Sequence, residues 1–140
     1  FKPSLDGESQ DCYDKNPPMD DPHYTSGVGN HFFYLLSEGA VVPAAYRTKL
    51  VKADLVCNGD TALTRITNKV AAQIWYRATT LYMTSQTGYP KAREATQQAA
   101  ADLLDRGLLN QKQANAVACA WEAVNVPLPD GSKLATCQRA

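Results

Sequence analysis

The chain has 140 residues, 44% of them apolar and 20% charged, a balance typical of one globular domain with a real core. Its 14 basic and 14 acidic side chains cancel, so it lacks the basic surplus that nucleic-acid or anionic-membrane partners require. No apolar run is long enough to cross a bilayer, and residues 1–3 are not those of a signal peptide. We therefore predict neither a nucleic-acid nor a membrane partner, and expect a mature or excised piece.

Four cysteines, Cys12, Cys57, Cys119 and Cys137, permit three pairings. Their spacing fits neither a metal knuckle nor a redox pair, so two structural disulfides in an oxidising compartment are predicted. Of the three pairings we favour Cys12 with Cys57 and Cys119 with Cys137, because each would hold an irregular segment against a helix. These disulfides predict a secreted, extracellular protein.

Residues 1–22 are acidic and rich in proline, with no apolar period, and are predicted to form a loop. A helix of residues 26–38 follows, with Thr25 and Ser26 offering hydroxyls to its first amides. His31 falls on the predicted surface of this helix. Its buried stripe recurs at the spacing of one helical face: Val28, Phe32, Leu35 and Leu36.

The segment from residue 40 to residue 62 is long and irregular. Residues 41–42, 49–51 and 55–56 could form short strands. A loop of this length in a compact domain usually has a function or a covalent link, and Cys57 indicates the link.

Three further helices are predicted over residues 67–84, 90–105 and 111–124. The first carries so wide an apolar surface that a central position is expected for it. The last begins with the capping-box pattern of Asn110 and Gln113. Residues 127–140 are predicted to form a loop that the disulfide of Cys137 ties back to the helices. The sequence thus predicts one mainly α domain, with four to five helices, a long disulfide-linked loop and little sheet.

His23 is the residue most suited to chemistry, because Asp21 lies two positions before it at the edge of the first helix. An ionised carboxylate beside an imidazole fixes its tautomer and favours its protonated form. Such a histidine can donate a charge-assisted hydrogen bond to an oxyanion held elsewhere. The residues alone favour a plain surface histidine over this role, and no other motif completes an active site. A metal ion shared with His31 is a further alternative, but eight positions separate the two histidines.

Four blocks of the sequence, in order, resemble the thermolysin-like neutral metallopeptidases. Residues 22–36, PHYTSGVGNHFFYLL, resemble the family block V-H-x-x-S-G-x-x-N-x-x-x-Y-L. Residues 74–84, IWYRATTLYMT, resemble its I-[FW]-Y-R-A helix. Residues 89–104 and 120–126 are similar to the following A-R-x-A helix and to the closing A-[FW]-x-A-V-x-V. The resemblance extends over about residues 12 to 126, and it covers only the C-terminal helical half of such enzymes.

This resemblance implies a role in peptide hydrolysis that the chain performs only in part. In the family, the N-terminal half holds zinc through H-E-x-x-H and a downstream Glu, and carries the calcium sites. No metal ligand is therefore expected here, and the isolated chain is not expected to be active. The histidine that stabilises the tetrahedral intermediate matches His23, and the carboxylate that orients it matches Asp21, with Asp20 a weaker candidate. The implied partners are the N-terminal zinc-binding domain and a peptide substrate.

The sequence departs from the family pattern in places. Pro22 replaces a valine, and no arginine precedes Arg47 to bind the substrate carbonyl. A secreted, disulfide-bonded helical module that binds a partner without catalysis is the second hypothesis. The face that a zinc domain would cover is apolar, so a weak dimer through that face is also a hypothesis.

Overall fold

The computed structural model describes residues 1–132. Within them the chain forms five α-helices, three short 3₁₀ turns and no strand, as predicted for a mainly α domain. The α-helices are α1 (Pro22–Thr25), α2 (Gly27–Glu38), α3 (Asn68–Leu81), α4 (Tyr89–Asp105) and α5 (Gln111–Ala123). The 3₁₀ turns are Pro3–Asp6, Ala44–Tyr46 and Lys52–Leu55. None of these helices is long and apolar enough to cross a membrane.

Helix α2 is buried along the stripe predicted for it. Its four apolar stripe residues are all buried: Val28, Phe32, Leu35 and Leu36. The segment that precedes α1 passes close to the first turn of α2. A Cβ on Gly27 would lie only 2.5 Å from the Gln10 carbonyl oxygen. Glycine is therefore required at this position. At the other end, Gly39 takes a φ of 72° and its amide donates to the Leu35 carbonyl.

The core is built where α2, α4 and α5 meet. Phe32 stacks on Trp121 with ring centroids 3.6 Å apart, and the Trp121 indole N–H donates to Thr96 Oγ1 at 2.8 Å. Alanines on α4 allow this close approach, and α5 begins with the predicted capping box of Asn110 and Gln113. An aromatic pair and a satisfied indole thus fix the packing of three helices.

Arg93 is the arginine of the A-R-x-A pattern in residues 89–104. Its side chain is buried, donates to the Val126 carbonyl at 2.6 Å and to Glu122 Oε1 at 3.0 Å. Helix α4 therefore holds the end of α5 through a paired, buried guanidinium, which is a structural role.

Helix α3 packs against both α2 and α4, but it buries a narrower apolar surface than expected. Its buried face is narrow and consists of Ala71, Ile74 and Ala78. Tyr76 is 71% exposed and Leu81 is 57% exposed. The wide apolar surface predicted for this helix is therefore only partly buried within this chain.

The irregular segment after α2 contains 3₁₀ turns instead of the predicted short strands. Residues 41–42, 49–51 and 55–56 find no strand partner in the described part of the chain. The predicted disulfide between Cys12 and Cys57 is confirmed, with Cα atoms 5.9 Å apart. Cys119 lies in the buried part of α5, and the pairing predicted for it stays a prediction because Cys137 is outside the described residues.

Both ends of this disulfide are also anchored on the end of α5. The Tyr13 amide donates to the Val124 carbonyl at 2.8 Å, and the Cys57 amide donates to the Ala123 carbonyl at 2.7 Å. The disulfide therefore joins two segments that the helix terminus already holds side by side.

Candidate functional site

The site is built on α1, a single helical turn that begins at Pro22 and is capped by Asp21. One carboxylate oxygen of Asp21, Oδ1, accepts the backbone amide of His23 at 2.9 Å and lies 2.7 Å from His23 Nδ1. Asp21 is thus both the N-cap of the turn and the partner of the imidazole. Because proline presets the φ angle of the first helical residue, Pro22 suits this turn.

The prediction that Thr25 and Ser26 cap the first long helix was wrong. Ser26 makes no side-chain cap bond to α2. The Thr25 hydroxyl instead donates backwards to the Asp21 carbonyl at 3.1 Å. A separate turn, α1, precedes α2. The side-chain cap of this region belongs to α1 and is provided by Asp21.

The hydrogen bonds that Asp21 accepts fix the state of the pair. The amide of His23, and then its side chain, hold the pKa of Asp21 below its usual value, so the carboxylate is ionised at neutral pH. An ionised carboxylate can only accept, so Nδ1 of His23 carries the proton. The His23 side chain is 88% exposed. Within residues 1–132, its other nitrogen, Nε2, has no hydrogen-bond partner and faces solvent.

The structure brings Asp21 rather than Asp20 into contact with His23. Asp20 is exposed beside it. The carboxylate two positions before the histidine is therefore the one that contacts the ring, and its role in orienting a catalytic histidine stays a prediction.

His31 lies inside the protein, so the prediction that it sits on the surface of α2 was wrong. It is 1% exposed, and its Nδ1 donates to the Asp11 carbonyl at 2.8 Å. Burial lowers the pKa of His31, which keeps the ring neutral. His31 lies on the same face as Val28 and Leu35, and residues 1–12 cover it there through the Asp11 carbonyl.

A metal ion shared by the two histidines gains no support from this arrangement. Nδ1 of His23 faces Asp21, and Nδ1 of His31 is engaged by a backbone carbonyl. Among residues 1–132 no group of three or more His, Cys, Asp or Glu side chains could hold a metal ion. The described residues therefore do not fit a zinc site of their own.

Tyr89 is a residue at this site that the sequence reasoning missed. Its hydroxyl accepts the Gly29 amide at 3.0 Å and donates to the Thr25 carbonyl at 2.8 Å. The ring lies so close to α2 that a Cβ on Gly29 would be 3.2 Å from Tyr89 Cε1. Sixty positions separate Tyr89 from its partner Gly29. The one signal in the sequence is a glycine in the first turn of α2, which often marks such a close approach.

The site is thus an exposed histidine, His23, held by Asp21 at the edge of a helical domain. Residues 1–126 match the family model described as "Thermolysin metallopeptidase, alpha-helical domain", and the chain belongs to this family.

Among curated proteins, the chain is similar to the "Transglutaminase-activating metalloprotease" of Streptomyces mobaraensis. The two are 39% identical over 125 residues, which cover 89% of this chain and 16% of the relative. The chain therefore spans only a small part of the length of this relative.

Proposed function

We propose that this chain is the C-terminal helical half of a secreted zinc metalloendopeptidase and forms one wall of its substrate cleft. Membership of the thermolysin α-helical family supports this proposal, as does similarity to a protein named a metalloprotease. The zinc-binding half of the same enzyme would face it, and zinc and calcium would be held there. The disulfide between Cys12 and Cys57 supports secretion, since such links persist in oxidising compartments.

In this proposal His23 stabilises the tetrahedral intermediate of peptide hydrolysis. The observation that carries it is the contact of 2.7 Å between His23 Nδ1 and Asp21 on a largely exposed imidazole. Zinc, when bound in the other half, activates the attacking water. As negative charge develops on the carbonyl oxygen of the peptide, a proton on Nε2 of His23 would donate a hydrogen bond to it.

Asp21 makes this donor more effective. A ring that donates from Nε2 also keeps the Nδ1 proton, which it donates to the Asp21 carboxylate. This hydrogen bond from Nδ1 also fixes the plane of the ring, so the donor is oriented before substrate binds. Pre-oriented donors lower the barrier because they need no rearrangement in the transition state.

The test is the His23→Ala variant of the full-length enzyme. We expect kcat to fall by about 10²–10³, the usual cost of removing one oxyanion donor, with a smaller change in KM. Gln73→Ala, on the exposed side of α3, serves as the control and should leave both constants unchanged. A His23→Ala enzyme with an almost unchanged kcat would refute the role of His23. A full-length protein with bound zinc and no peptidase activity would favour the non-catalytic binding module instead.

A further inference from the structure

Tyr89 is the first residue of α4, yet its hydroxyl belongs to the corner between α1 and α2. It accepts a hydrogen bond from the amide of Gly29 and donates one to the carbonyl of Thr25. The first amides of a helix have no partner within the helix, and this hydroxyl satisfies one of them in α2. A single side-chain atom therefore joins the last residue of α1 to the first turn of α2.

The ring that carries this hydroxyl is fixed by the aromatic core. It meets Tyr13 edge-on, with centroids 6.2 Å apart and planes at 83°, and lies 6.1 Å from Trp121. Trp121 is itself fully buried, stacked on Phe32. Burial raises the pKa of Tyr89, so its hydroxyl keeps the proton that it donates. The hydroxyl thus has a well-defined position relative to the core.

A short series of hydrogen bonds connects Tyr89 to His23. Tyr89 holds the carbonyl of Thr25, and the amide and hydroxyl of Thr25 both donate to the Asp21 carbonyl, at 2.9 and 3.1 Å. The side chain of Asp21 then accepts the amide and Nδ1 of His23. The turn that carries His23 is exposed, and this series links it to the packed interior of the domain. A second hydrogen bond, from the Gln10 amide to the Tyr24 carbonyl at 3.2 Å, links the turn to the segment before it.

We propose that Tyr89 is a positioning residue for peptide hydrolysis, which sets the location of His23 by holding the α1–α2 corner against the core. This inference rests on the proposed role of His23. Tyr89 touches neither histidine nor substrate, and it acts only through the backbone of α1. Removing the hydroxyl would leave the Gly29 amide and the Thr25 carbonyl unpaired, so the turn could shift relative to the cleft. Small displacements of a catalytic group have large effects on rate.

The experiment is a double-mutant cycle in the full-length enzyme with Tyr89→Phe and His23→Ala. Tyr89→Phe keeps the ring and removes only the hydroxyl. We expect it to lower kcat about threefold to tenfold, the size of one net hydrogen bond, with little change in KM. In the His23→Ala background the same change should have almost no further effect on kcat, because the residue that it positions is gone.

Tyr34→Phe is the matched control. Tyr34 lies on α2 and, like Tyr89, donates its hydroxyl to a backbone carbonyl, that of Val41 at 2.6 Å. We expect Tyr34→Phe to leave kcat unchanged in both backgrounds. Wild-type kcat in Tyr89→Phe would overturn the positioning role, and so would an equal fold loss with and without His23. If His23→Ala itself leaves kcat unchanged, the proposed role of His23 is refuted. The cycle distinguishes this result from failure of the positioning role of Tyr89.

Discussion

Removal of the Cys12–Cys57 disulfide should destabilise the domain while leaving its native structure in place. Cys12 is exposed and Cys57 is half-buried, so replacing both by alanine removes few core contacts. The backbone amides that hold Tyr13 and Cys57 on the end of α5 remain, because alanine at position 57 donates the same hydrogen bond. The effect should therefore come mainly from the unfolded chain, which gains conformational freedom.

The size of the effect follows from the loop that the disulfide closes. The two cysteines are 45 positions apart. In the chain-entropy relation, closing such a loop costs the unfolded state about 13 cal/mol/K, or about 4 kcal/mol at 25 °C. With an m-value of about 2 kcal/mol/M, the urea midpoint of the double variant should fall by about 2 M. Trp121, buried against Phe32, reports the transition by its fluorescence.

Two results would refute this reasoning. A midpoint shift below about 0.5 M would show that the loop entropy is not what the disulfide contributes. Single variants, Cys12→Ala and Cys57→Ala, provide the control, because each breaks the same link. They should match the double variant, and a spread above about 1 kcal/mol among the three would mean that local packing, and not the crosslink, sets the loss.

Two further predictions concern Asp21 and His31. Asp21→Asn in the full-length enzyme should lower kcat less than His23→Ala does. The asparagine Oδ1 can still accept a hydrogen bond from Nδ1 of His23 and orient the ring, although without the negative charge that strengthens this bond. A loss of kcat equal to that of His23→Ala would count against this pairing.

His31 makes stability depend on pH. Burial lowers its pKa below the ordinary value of 6.5, so the unfolded state takes up the proton first as pH falls. Its contribution to the unfolding free energy is therefore complete above about pH 6.5 and is lost below it, by at most about 1.4 kcal/mol per pH unit. His31→Gln should show a flatter decline than the wild type in urea unfolding between about pH 7.5 and pH 5.5. Equal slopes in the two proteins would contradict this assignment.

The helices that the sequence predicted correctly are those whose burial is set by their own periodicity. The stripe of α2 is buried as expected, and Asn110 and Gln113 form their capping box, since both patterns depend on residues within one turn or two. The Cys12–Cys57 link was chosen from three pairings and is confirmed. The contact between Asp21 and His23 was also predictable, because two positions of chain separate them.

The errors have both local and distant causes. His31 lies three positions after Val28 and four before Leu35, which is the spacing of the buried face, so the surface assignment overlooked the period of α2. The Asp11 carbonyl that accepts from it comes from residues 1–12, which no local pattern reveals. Leu81 and Tyr82 widened the apolar surface of α3 in the sequence, although both side chains are exposed and the buried residues of this helix are Ala71, Ile74 and Ala78. Tyr89 was missed because its partners lie about sixty positions earlier.

The anchoring of Tyr13 and Cys57 on the last residues of α5 has a consequence for biosynthesis. During synthesis, Cys12 and Cys57 emerge from the ribosome well before Ala123 and Val124. The carbonyls of these two later residues hold the two segments together. Until α5 has been made, these two hydrogen bonds cannot form, and the segments have only weaker mutual contacts such as that of Lys2 Nζ with the Asp54 carbonyl. Correct oxidation of this pair should therefore be most efficient after α5 has been made and has docked on the two segments.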